Sequence, residues 1–174
     1  VYYNQACPLT EGYETISYLK DFNDGKGIYV EFFNNNDLEG TPDATGYYDK
    51  ALNFSTFGAW GFAEGISTDN VSVRVSGQYK ATYTGEMKYS ISSDNGYILK
   101  VNGEIIDDGA TSGMRRGFGF IRQLEYKSFP VVEGQTYAME IEYSRGNGNF
   151  AMFRADICER RLIEFDSLAS EVSD

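Results

Sequence analysis

Apolar and polar residues alternate with a period of two along most of this chain, the pattern that places successive side chains on opposite faces of an extended backbone. In Gly27–Phe33, Ile28, Val30 and Phe32 share one face while Tyr29, Glu31 and Phe33 share the other. Val71–Tyr83 is the longest clean alternation, with Val71, Val73, Val75, Tyr79, Ala81 and Tyr83 inward and Ser72, Arg74, Ser76, Gln78 and Lys80 outward. Gly77 in its middle predicts a bulge or bend. Met87, Tyr89 and Ile91 oppose Lys88, Ser90 and Ser92, and a second apolar run, Tyr97–Val101, follows the polar turn Ser93-Asp94-Asn95-Gly96. Asn102-Gly103 is a strong hairpin signal, which makes Glu104–Asp107 the return strand. Tyr126–Val132, with Pro130 marking an edge or bulge, then Tyr137–Tyr143 and Phe150–Ile157 complete the strands.

The remaining stretches are less regular. Val1–Leu9 starts as a short strand and breaks at Pro8, and Glu11–Gly25 reads as a linker or marginal helix. Leu38–Thr68 reads as short strands and loops, and Asp107–Gly119 as a long glycine-rich loop. Only Arg160–Val172 has helical spacing, with Leu162, Ile163, Phe165, Leu168 and Val172 in one stripe whose packing partner is expected outside this chain. Turn signals every 8–12 residues between one-sided strands predict an all-β protein, a two-layer antiparallel β-sandwich of jelly-roll type with a short C-terminal helix. The expected organisation is an N-terminal flank at 1–25, the sandwich at 26–157 and a helical flank at 158–174.

Composition narrows the chemistry. A length of 174 residues suits one core, and 14 Tyr, 12 Phe and 19 Gly favour strands joined by tight turns. The formal charge of −11 repels polyphosphate, so nucleic acid and anionic membrane are not expected partners. With 0 His, imidazole catalysis and the commonest transition-metal ligand are absent, and any metal would be a hard cation held by oxygen. No apolar run approaches the ~20 residues of a membrane helix. The start at Val1 without Met suggests a processed or excised piece from which any signal peptide has been removed. Cys7 and Cys158 would pair in an oxidising compartment if the chain ends meet; two unpaired buried thiols is the preferred expectation.

In order, Gly27–Asn34, Leu38-Glu39-Gly40-Thr41-Pro42, Val71–Gly77, Tyr89–Gly103, and Gly134–Tyr137 through Phe150–Asp156 resemble the β-sandwich first described in the anthrax toxin protective antigen (PA-14 type). That domain recurs in glycosidases, yeast adhesins and other carbohydrate-facing proteins. The resemblance covers roughly 26–157, and the Ser-Asp-Asn-Gly segment with its Val-Asn-Gly hairpin is its most specific part. The ends, Val1–Leu9 and Asp166–Asp174, resemble the edges at which this sandwich interrupts the α/β domain of glycoside hydrolase family 3 enzymes, with Ala6 standing where a Gly is usual.

The resemblance implies a non-catalytic accessory domain of a bacterial β-glucosidase-type enzyme in the periplasm or outside the cell. Its partners would be an oligosaccharide or glycoside and the catalytic domains of the parent glycosidase. An autonomous lectin-like glycan-binding module and a protein-interaction module are the alternatives. In the lectin branch two successive acidic residues hold calcium; here Asp94 supplies one carboxylate but Asn95 only a neutral carbonyl, so a capped turn outweighs a metal site. In Gly109–Phe120, Arg115 and Arg116 can donate to sugar hydroxyls while Phe118 or Phe120 stacks on a pyranose face; the plain alternative is a long hairpin loop with its aromatics tucked away. Trp60, the single Trp, is a sugar platform or, preferred here, a core plug. Asp107 and Asp108 are adjacent on a strand and point to opposite faces, so no catalytic pairing is assigned to them.

Overall fold

A computed structural model describes residues 13–56, 61–109, 127–145 and 151–162 of the chain. The alternating segments form strands β1 (Tyr13–Ser17), β2 (Ile28–Phe33), β3 (Ala44–Tyr48), β4 (Leu52–Ser55), β5 (Val71–Lys80), β6 (Gly85–Ser93), β7 (Tyr97–Val101), β8 (Glu104–Asp108), β9 (Lys127–Val131), β10 (Thr136–Arg145) and β11 (Met152–Leu162). They make two antiparallel layers, a 6-stranded sheet in the order β3-β2-β5-β10-β7-β8 and a 5-stranded sheet in the order β1-β11-β6-β9, with β4 beside β1 on the same side of β11.

The inward faces interlock as the alternation requires. Val30, Phe32, Val71, Val73, Val75, Leu99, Ile141 and Tyr143 of the larger sheet meet Leu52, Met87, Tyr89, Phe129, Val131, Phe153, Ala155 and Ile157 of the smaller one in a single buried cluster. Aromatic rings do much of the filling: Phe32 and Phe54 meet edge-on at 5.1 Å, and Tyr143 and Phe153 lie 5.3 Å apart. Pro130 sits on β9, the outer strand of the smaller sheet, where its missing N–H leaves no ladder bond unmade.

Three expectations change. Gly77 makes no bulge, because β5 and β10 run in continuous register with Gly77 opposite Met139. Its purpose is room: a Cβ there would stand 2.8 Å from Phe22 Cδ1, where the Phe22 ring stacks on Tyr79 at 5.5 Å and closes one end of the core. Residues 13–25, within the stretch expected as a linker or marginal helix, instead pack on the sandwich: β1 pairs with β11, and short turns at 19–25 bury Leu19 and Phe22. The stretch from Arg160 begins as strand, not helix, because β11 runs on through Leu162 against β1. The rest of that predicted helix, 163–174, lies outside the described residues.

Cys158 is fully buried and disulfide-bonded, so the expectation of two unpaired thiols is overturned; the chain's other cysteine, Cys7, lies outside the described residues. Among the described residues no helix is long and apolar enough to cross a membrane.

Candidate functional site

Strand β6 ends at Ser93, whose hydroxyl donates to the Asn95 carbonyl and folds Asp94-Asn95-Gly96 into the turn that leads to β7. The turn is then stitched to two strands from the far end of the chain. Asp94 N–H donates to the Met152 carbonyl at 3.0 Å, and Met152 N–H returns a bond to Asp94 Oδ1 at 2.9 Å. The Tyr143 hydroxyl donates to the same oxygen at 2.5 Å, while an Arg145 guanidinium N–H reaches Oδ2 at 2.8 Å. Asn95 Nδ2 donates to the Ser144 carbonyl at 2.6 Å. Burial, with the Asp94 carboxylate beside it, pushes the Tyr143 phenol above its ordinary range, so it stays a donor at any physiological pH.

This arrangement bears directly on calcium. The ion needs six to eight oxygens with spare lone pairs and negative charge to offset its dehydration. Asp94 has three donors on its two oxygens, one of them a full cation, and Asn95 turns its amide N–H to a carbonyl. The donor set therefore does not fit calcium while Arg145 holds its place. Among the described residues no group of three or more His, Cys, Asp or Glu could hold a metal ion.

A second polar cluster lies at one side of the sandwich, between β8 of the larger sheet and β9 of the smaller one. Asp107 of β8 is only 8% exposed, yet its carboxylate accepts from Tyr89 at 3.0 Å, from Tyr97 at 2.8 Å, and from Lys127 Nζ at 2.9 and 3.0 Å. Tyr89 and Lys127 belong to the smaller sheet and Tyr97 to the larger, so one carboxylate ties both layers. Burial first, and then the Asp107 charge and hydrogen bond, raise the Tyr89 phenol well above its usual range. Gly109 follows directly, and a Cβ there would stand 2.4 Å from the Tyr97 ring, so only glycine can leave β8 along this path. Asp107 is thus committed to four hydrogen bonds.

Of the residues singled out from the sequence, the structure places Asp94 and Asn95 together in the turn. Arg115, Arg116, Phe118, Phe120 and Trp60 lie outside the described residues. Tyr143, Arg145 and Met152, which decide what Asp94 can do, escaped the sequence reading. They stand some fifty residues away, and on sequence Tyr143 looks like any inward strand residue.

A family model for the PA14 domain matches residues 24–156. The chain belongs to the PA14 domain family. PA14 domains are in general non-catalytic carbohydrate-binding modules. A β-glucosidase from Kluyveromyces marxianus, solved in complex with glucose, superposes on this PA14 domain with a TM-score of 0.60 at 20% identity, covering 86% of this chain and 18% of that one. An anti-sigma factor domain-containing protein from Clostridium clariflavum superposes with a TM-score of 0.56 at 25% identity, covering 79% of this chain and 42% of that one. In sequence, a xylan 1,4-beta-xylosidase of Xylanibacter ruminicola is 33% identical over 79 residues, 45% of this chain and 9% of that protein. The PA14 domain thus spans less than a fifth of the β-glucosidase and less than a tenth of the xylosidase.

Proposed function

We propose that this PA14 domain is a non-catalytic carbohydrate-recognition or substrate-gating module of a bacterial glycoside hydrolase of β-glucosidase type. A rigid sandwich would hold its loops over the sugar subsites beyond the cleavage point and so limit the length of chain that is turned over. The observation that carries this reading is the scale of the match to the β-glucosidase, a whole sandwich occupying 18% of a much longer enzyme. The loop residues Arg115, Arg116, Phe118 and Phe120, with Trp60 and with Asp94 and Asn95 of the turn, are the proposed sugar contacts. The buried disulfide at Cys158 supports an exported, oxidising location, periplasmic or extracellular.

The test compares the parent enzyme with a form from which the sandwich has been removed, on a disaccharide and on longer glycans. A rise of about tenfold or more in relative kcat/KM for the longer substrates is expected on removal. An unchanged chain-length preference overturns the gating role. Binding of short free oligosaccharides by this chain alone, measured by calorimetry and lost on Phe118→Ala, would instead favour an autonomous lectin-like module.

A further inference from the structure

The outer face of the 6-stranded sheet carries a feature that the loops do not explain. The strand registers align Tyr47 of β3, Tyr29 of β2, Ser76 of β5, Glu140 of β10, Lys100 of β7 and Ile105 of β8 in one straight row across the sheet. With strands about 4.8 Å apart the row spans roughly 24 Å. Each of its members is exposed or half-exposed, and the two ends, Tyr47 and Ile105, are both 54% exposed. The Tyr29 and Tyr47 rings lie 5.1 Å apart with planes tilted by 49°, a two-ring ledge at one edge of the face. Neither phenol makes a hydrogen bond among the described residues, so two apolar ring faces and two donor-acceptor hydroxyls point outward together.

The charges beside the ledge are paired with one another and sum to a single negative charge. Arg74 pairs with Glu31 at 3.7 Å, and Lys100 pairs with Glu142 at 2.9 Å and with Glu140 at 3.3 Å. What remains between the aromatic ledge and Ile105 is a line of hydroxyl, carboxylate and ammonium groups with no contiguous apolar patch. A protein interface needs such a patch at its centre, and this face has its large apolar groups at opposite ends. The −11 net charge of the chain turns away anionic polymers. A flexible, uncharged chain rich in hydroxyls fits instead, because each sugar offers an apolar ring face to an aromatic ledge and hydroxyls to the polar row.

We propose that the Tyr47-Tyr29-Ser76 end of this face, continued by Glu140 and Lys100, is a binding surface for neutral polysaccharide. It would hold polymer near the enzyme without touching the cleavage subsites. The inference extends the proposed function and does not depend on the loop residues.

The test is affinity electrophoresis of this chain in gels containing a neutral soluble xylan or glucan, or polygalacturonate. Retardation by at least one neutral polymer is expected, with none by polygalacturonate. Tyr47→Ala, at an exposed edge position, should keep the fold by circular dichroism and weaken retardation about tenfold, as should Tyr29→Ala; Tyr47→Phe should retain most of it. Wild-type retardation in both alanine variants, retardation by polygalacturonate alone, or none by any neutral polymer would overturn the surface. If Phe118→Ala abolishes retardation while Tyr47→Ala leaves it intact, the face is overturned and the loop-based function stands.

Discussion

At Asp94 a single carboxylate meets the Tyr143 hydroxyl, the Met152 N–H and the Arg145 guanidinium, and its neighbour supplies an amide already bonded to Ser144. The positive charge a bound cation would bring is therefore present already, in the form of an arginine. Millimolar calcium should leave the unfolding midpoint of this chain unchanged, whereas a tightly bound ion would raise it by ligand linkage. Asp94→Ala should cost about 2–4 kcal/mol in urea unfolding, since it strands a largely buried cation and a buried phenol together. Asp156 behaves differently. It is 4% exposed on β11, and burial pushes its carboxyl up to about 6, against the opposing hydrogen bonds from Ser17 at 2.6 Å and from the Ile157 backbone. The folded state thus holds a proton between the ordinary value of 3.8 and about 6 that the unfolded chain releases. The resulting stabilisation is complete below the lower value and is lost as pH rises through the upper one. Asp156→Asn, which keeps an acceptor for Ser17, should be more stable than the wild type at pH 7, by up to roughly 3 kcal/mol. That advantage should vanish by about pH 4. Urea unfolding of both forms at the two pH values measures it, and a difference independent of pH would show that Asp156 is ionised in the folded state.

The elements whose presence and buried face were legible in the sequence, though not their last residues, are those that bury one face and solvate the other, because that asymmetry writes itself as alternation. Val71–Lys80 and Thr136–Arg145 are such strands, and they lie side by side. The tight hairpin was legible for a different reason: Asn102 and Gly103 adopt φ of 52° and 80°, the double left-handed turn that this residue pair favours. It is reinforced from outside, since Asn102 exchanges bonds of 2.7 and 2.9 Å with the Ala138 backbone. β1 and the end of β11 were not legible. Leu162 fits a helical stripe as well as a strand, and what decides between them is a partner strand at Tyr13–Ser17 nearly 150 residues earlier. Gly77 misled for a related reason. A glycine inside a strand signals either a distorted ladder or a close neighbour, and the neighbour, Phe22, belongs to a turn that the sequence presents as linker. The candidate site divides along the same line. The turn at Asp94 announces its shape locally, whereas its chemistry is set by Tyr143, Arg145 and Met152, whose approach only the two-layer packing brings about.

For the molecule as a whole, the two sheets are held together by their apolar faces and, at one side, by Asp107. Its bonds to Lys127 and Tyr89 cross from one layer to the other, while its bond to Tyr97 stays within its own sheet. A carboxylate taken this far out of water is costly unless each lone pair is used, so the four bonds mainly offset its own desolvation. Removing one partner is then worse than removing the charge. Lys127→Met should destabilise by about 1–3 kcal/mol, the lower part of the range for a broken buried pair, because the lysine side chain is 36% exposed and partly screened. Asp107→Asn keeps acceptor capacity for the two tyrosines and should cost less than Lys127→Met. The double variant should cost less than the two single changes added together, since each partner's loss has already removed the other's reason to be charged. A urea double-mutant cycle measures the coupling, expected at about 1–2 kcal/mol; strictly additive costs would mean that the layers are held by apolar packing alone and that Lys127 and Asp107 are neighbours without consequence. Because the bridge is half in water, the coupling should shrink in 1 M salt without vanishing, whereas the stability contributed by the apolar core should not fall.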